Sequence, residues 1–144
     1  MTAQLVEANL RVVGVLLLAI AVLGVAVHRH FGWGAEIRRL TLLTRQVFLV
    51  HSAFVTLTLA LLGVLLAGFA PALLAPGVLP RAVLVGLLVM WSARMLAQWF
   101  FYDPSLWRGN RLNTFMHVLF SVIYVYFVAT LALALYAQTH GVLR

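Results

Sequence analysis

The chain has 144 residues, 65% of them hydrophobic and 9% charged, with a mean hydropathy of +1.07. That is room for one domain, and it excludes a water-soluble globule, which carries roughly 25% charged residues. The net charge of +7 comes from ten arginines and no lysine against Glu7, Glu36 and Asp103. The arginines flank apolar segments, so anionic lipid headgroups rather than nucleic acid are the expected partners. The absence of cysteine excludes disulfides, thiolate metal sites and cysteine nucleophiles.

At the amino terminus Glu7 precedes the first apolar run, and Val27-His28-Arg29-His30 ends it without a small-residue cleavage site. This predicts a retained first span over 10–28 rather than a cleaved signal. Glu7, Gly14, Ala21 and His28 fall a heptad apart on one face of it, and the small residues there let a neighbouring helix approach closely. Residues 31–44 are too polar to cross a membrane, and Trp33, Arg38 and Arg39 suit the headgroup level, so an interfacial segment is expected.

The second span is expected over 46–68. Arg45, Ser52, Thr56 and Gly63 share one face, and His51 and Thr58 share another. Residues 69–80 hold three prolines and a glycine and read as a turn or short loop. A third span follows over 82–101. Asp103-Pro104-Ser105 reads as a turn, or as an N-cap with Pro at the first helical position. Trp107, Arg108 and Arg111 suit the interface, and the fourth span runs over 113–137. Asn113, His117, Phe120, Ser121 and Tyr124 form its polar or aromatic face. The predicted fold is all-α: a single transmembrane domain, an up-and-down four-helix bundle with both termini on one side.

The loop between spans one and two carries Arg29, Arg38, Arg39 and Arg45, and the loop between spans three and four carries Arg108 and Arg111. The other side has Arg11, Arg81 and Arg144. The excess puts both loops in the cytoplasm and the termini outside. Arg38, Arg39, Arg45, Arg108 and Arg111 are then the expected headgroup contacts.

Span three holds an arginine where an arginine is expensive. Trp91, Arg94, Gln98 and Tyr102 fall on one helix face at spacings of three, four and four, and intramembrane ionisable residues are functional candidates by default. His51 and His117 lie at similar expected depths on spans two and four. This predicts one polar cluster of His51, Trp91, Arg94, Gln98, Tyr102 and His117 near the cytoplasmic face, with Asp103 or a group outside the chain as the counter-charge. Several readings of it are open. It could be an internal polar network, or a site for a quinone-like, lipid or anionic ligand. His51 and His117 could instead ligate a haem b, or His28, His30, His51, His117 and Asp103 could supply a metal site. Hydrolase chemistry has little behind it, since Ser52 and His51 point to different faces and no G-x-S-x-G elbow occurs. The balance favours a non-catalytic membrane protein, either an accessory subunit of a larger complex or homo-oligomer, or a small-ligand binder. A redox protein or enzyme using His51 and His117 is the alternative.

Arg45-Gln46-x-Phe48-x-x-His51 at the start of span two, with Phe101-Tyr102-Asp103 closing span three, resembles a group of small four-span bacterial membrane proteins to which no activity is attached. The resemblance covers the span layout and these two motifs. It implies a bacterial inner membrane and directs attention to the same half of the bundle.

Overall fold

The computed structural model describes residues 3–30 and 33–140, with the backbone alone at 25–30, 33, 35 and 36. Among the described residues every regular element is helical: α1 (Ala3–His30), α2 (Trp33–Arg39), α3 (Leu42–Gly68), α4 (Ala70–Leu74), α5 (Val78–Phe100), a 3-10 turn (Pro104–Leu106) and α6 (Arg111–Thr139). Stretches of α1, α3, α5 and α6 are each long and apolar enough to cross a membrane, with mean hydropathies between 1.5 and 2.4. The fold class is therefore all-α with four membrane-length helices, and the chain is a multi-pass membrane protein. It divides into two units, Arg11–Ala70 and Met1–Leu10 with Pro71–Arg144.

In the unit Arg11–Ala70 the stripe Val13, Leu17 and Ala21 of α1 is buried, at the i, i+4 spacing that repeats on one helix face. The packing of α1 on α3 depends on two glycines. A Cβ on Gly14 would collide with the backbone nitrogen of Ala67 and lie 2.7 Å from the carbonyl oxygen of Gly63. One on Gly63 would lie 2.7 Å from Cγ of Leu18. Lipid tails are as apolar as leucine, so such helices are held by close van der Waals contact and interhelical hydrogen bonds. Arg11 supplies one of the latter, donating through Nη1 to the Ala67 carbonyl at 3.3 Å.

The hydroxyl of Thr41 accepts from the Thr44 amide at 3.3 Å and starts α3 at Leu42, so Arg45 and Gln46 already lie in its opening turns. Deeper in α3, Thr56 and Thr58 donate to the carbonyls of Ser52 and Phe54, which satisfies both hydroxyls within their own helix.

In the second unit α5 and α6 pack on each other. The buried residues of α5 are Leu84, Leu87, Trp91 and Gln98; those of α6 include Tyr124, Phe127, Leu131, Ala134 and Ala137. Trp91 fills the seam, edge-on to Phe127 at 4.9 Å and stacked on Tyr124 at 5.7 Å. Two polar ties close the unit. Tyr126 donates to Oδ1 of Asn9 at 2.7 Å. Near the carboxyl end of α6, Gln138 donates through Nε2 to the carbonyls of Leu73 and Ala75 at 3.1 and 2.9 Å.

The expected loop at 69–80 is largely helical. Ala70–Leu74 forms a short helix, and Pro80 lies in the first turn of α5. Proline is tolerated there because the first amides of a helix have no intrahelical partner to lose.

Candidate polar site on the α5–α6 pair

The connection from α5 to α6 is built by its own polar side chains. Oδ1 of Asp103 accepts from the Ser105 amide at 2.7 Å, with Pro104 at the first position of the 3-10 turn, as the sequence suggested. Asn110 caps α6 by accepting from the Asn113 amide at 3.1 Å. Between them Gly109 takes a φ of +86°, a conformation glycine enters without steric cost. The first turns of α6 then hold the loop from below. Asn113 donates through Nδ2 to the Leu106 carbonyl at 2.8 Å, and Thr114 donates to the Trp107 carbonyl at 2.7 Å. Held on this backbone, the Trp107 indole lies parallel to the His117 imidazole, 3.9 Å between centroids and 10° between planes.

Asp103 also sets a pH response. Its carboxyl titrates below the ordinary value of 3.8, because Ser105 donates to the carboxylate from its side chain and its backbone, with a smaller attraction from Arg108. A folded-state value that is lowered means the cap is intact above the unfolded value and is lost as pH falls through the lowered one. The Ser105 amide resonance should therefore titrate with a midpoint below 3.8 and stop titrating in Asp103→Asn. A midpoint at or above 3.8 would contradict the cap.

A chain of three side chains runs beneath the loop. Arg94 donates through Nη1 to Oε1 of Gln98 at 3.3 Å, and Nε2 of Gln98 lies 3.0 Å from Nδ1 of His117. The two α5 residues are one turn apart, and Gln98 is only 7% exposed. The Arg94 guanidinium lies over the ring of Tyr124 at 4.7 Å and of Tyr102 at 5.8 Å, within cation–π range. Its nearer ring contact, Tyr124, stacks on Trp91, and its farther one, Tyr102, lies toward the carboxyl end of α5. Arg94 precedes Phe100 by six residues, roughly 9 Å along the helix.

Trp91, Arg94, Gln98, Tyr102 and His117, the expected site residues of spans three and four, are thus joined through direct contacts and through Tyr124. Asp103 is not the counter-charge of Arg94. Its carboxylate is turned into the cap on Ser105, and the contacts of Arg94 among the described residues are all with uncharged groups. His51 lies in the other unit, exposed on α3. Counted from the helix starts set by the Thr41 and Asn110 caps, His51 is nine residues in and His117 six, roughly 14 and 9 Å.

The side chains of His28, His30, Trp33 and Glu36 lie outside the described residues, and among those described no three His, Asp or Glu side chains gather as a metal site. Arg38, Arg39, Arg108 and Arg111 are exposed, and Arg45 is half-buried.

Tyr124 lies seven residues beyond His117 and so on the face that spacing predicts, whereas one further residue of the site is not evident from spacing. Trp107 reads as an interface residue, and only the fold of the loop brings it onto His117.

One buried donor stands apart from all these bonds: Nε1 of Trp91 has no hydrogen-bond partner, although the residue is 4% exposed. Comparisons with protein-family models, with curated proteins and with solved structures find no match.

Proposed function

We propose that the chain is a small non-catalytic protein of a bacterial inner membrane, an accessory subunit or small-ligand binder, whose ligand or partner seats on the Arg94 face of α5 and α6. The observation that carries this reading is a half-buried arginine in a membrane-length helix whose described partners, Gln98, Tyr102 and Tyr124, are all neutral. Cation–π contacts and one amide bond leave its charge uncompensated, and a buried cation is costly until a counter-charge or strong acceptor arrives. An anionic ligand, a quinone-like carbonyl or an acidic partner group would supply one. The arginine-rich segments 29–45 and 108–111 face the cytoplasm in this reading and contact anionic lipid, with both termini outside.

The haem or metal reading asks something different of His117. A metal takes a lone pair, and the nitrogen free for it, Nε2, carries the proton when Nδ1 accepts from Gln98. Ligation there would require Nδ1 to carry a proton, the Gln98 amide to turn over, and the Arg94 bond to be given up.

Gentle purification, followed by an absorption spectrum and metal analysis, separates the two. The binding reading expects a colourless, metal-poor protein with a stoichiometric lipid, small molecule or partner chain. A Soret band or stoichiometric metal lost in both His51→Ala and His117→Ala would replace it with the redox reading.

A further inference from the structure

The direction of the hydrogen bonds narrows the ligand. A guanidinium can only donate, so the Gln98 group facing Arg94 is the carbonyl Oε1, and the group facing His117 is the amide Nε2. Nδ1 of His117 then accepts, and the ring proton sits on Nε2. Arg94 in this way fixes the tautomer of a histidine on another helix, through a residue that is almost fully buried. The donors left over near this face are the remaining N–H groups of Arg94 and Nε2–H of His117, and the Tyr102 and Tyr124 hydroxyls can donate or accept. A face that presents a guanidinium and a ring N–H, with no carboxylate among the described contacts of Arg94, disfavours metal ions and is complementary to a group that is acceptor-only and negative.

Position narrows it again. Gln98 and Tyr102, two of the partners of the guanidinium, lie toward the carboxyl end of α5, where the connection to α6 adds exposed Arg108 and Arg111 that favour an anion approaching from that end. We propose that this face binds a phosphate-type oxyanion, either a lipid headgroup or free phosphate, with Arg94 as the principal contact and the tautomer of His117 set so that it also donates. The proposal rests on the ligand-binding reading above and names the chemistry of its ligand.

The test is a titration of the full chain in detergent, read by the 15N resonances of the Arg94 guanidinium and the His117 ring. One arm uses inorganic phosphate, a second short-chain phosphatidylglycerol and a third a short-chain benzoquinone. The expected result is a saturable shift of the Arg94 signals with a phosphate-bearing probe. Affinity should fall at least tenfold in Arg94→Gln and much less in Arg94→Lys, and the free protein should show Nδ1 of His117 unprotonated. Saturation by inorganic phosphate identifies free phosphate as sufficient, and saturation by the lipid alone identifies a headgroup; either supports the proposal. Because Arg94→Gln could perturb the helix pair, Arg81→Gln, an exposed arginine at the opposite end of α5, serves as a folded charge control and should bind with little change.

Saturation by the quinone alone, or phosphate binding of equal strength in Arg94→Gln, overturns the proposal while leaving a ligand site in place. No saturable response from any probe, in a protein that purifies without a partner or ligand, overturns both the proposal and the reading beneath it.

Discussion

Gly14→Val should disrupt the packing of α1 on α3 and give the largest stability loss of any single substitution in the unit Arg11–Ala70. The new side chain would begin with a Cβ against three backbone atoms, the nitrogen and Cα of Ala67 and the oxygen of Gly63. Backbone cannot turn aside as a side-chain tip does, so the helices must separate. Separation also removes the Arg11 bond to the Ala67 carbonyl. Overpacking of a core typically costs about 1–3 kcal/mol, and a clash with rigid backbone places this variant at or beyond the upper end. Even Gly14→Ala meets the same atoms.

At Gly24 nothing lies within 4 Å of an added Cβ, so Gly24→Ala should leave the melting temperature nearly unchanged. Thermal unfolding in a mild detergent reads all three. A Gly14→Val protein melting within about one degree of the parent would contradict the close approach.

The second large effect separates binding from stability at Arg94. Arg94→Leu removes an expensive charge together with one 3.3 Å hydrogen bond, and the melting temperature in detergent should stay level or rise. Ligand affinity should fall at least tenfold, because the cation that pairs with the ligand is gone. Gln98→Leu should do the opposite to stability. It removes the hydrogen-bond partner of both Arg94 and Nδ1 of His117, two half-buried groups, and a stranded polar group costs about 1–3 kcal/mol. Hydrogen bonds within membranes average nearer 0.6 kcal/mol, so a loss of a few degrees is the expected scale. The order of the two melting temperatures is the result to look for. If Arg94→Leu melts lower than Gln98→Leu, Arg94 serves as an internal strut and its role as a ligand contact falls.

The helices and the membrane reading were legible in the chain because apolar runs of about twenty residues have no other stable solution. Gly14 and Ala21 at heptad spacing already marked the side of α1 that another helix could approach. The i, i+3, i+7 placement of Trp91, Arg94 and Gln98 on one face of α5 was likewise readable, since helical periodicity alone gives it. What periodicity cannot give is a contact made through a loop. Trp107 reaches His117 because Asn113 and Thr114 reach back to the carbonyls of Leu106 and Trp107, bonds that depend on the backbone path between two caps.

The expected spans 46–68 and 113–137 mark apolar stretches, and the helices α3 and α6 that contain them begin a few residues earlier. Hydropathy marks where a helix enters the apolar phase, whereas Thr41 and Asn110 mark where it begins. Assigning Asp103 as the counter-charge followed from its being the nearest carboxylate in sequence. A carboxylate followed by Pro-Ser has a nearer amide to accept from, and the cap prevails.

The most direct test of the central claim is native mass spectrometry of the protein released from its own membrane, run beside Arg94→Gln prepared in the same way. A phosphate-bearing molecule should be retained at one per chain in the parent and lost in the variant, with both proteins otherwise intact. Equal retention in the two, or a parent that carries nothing, would contradict the assignment of Arg94 as the residue that holds the ligand.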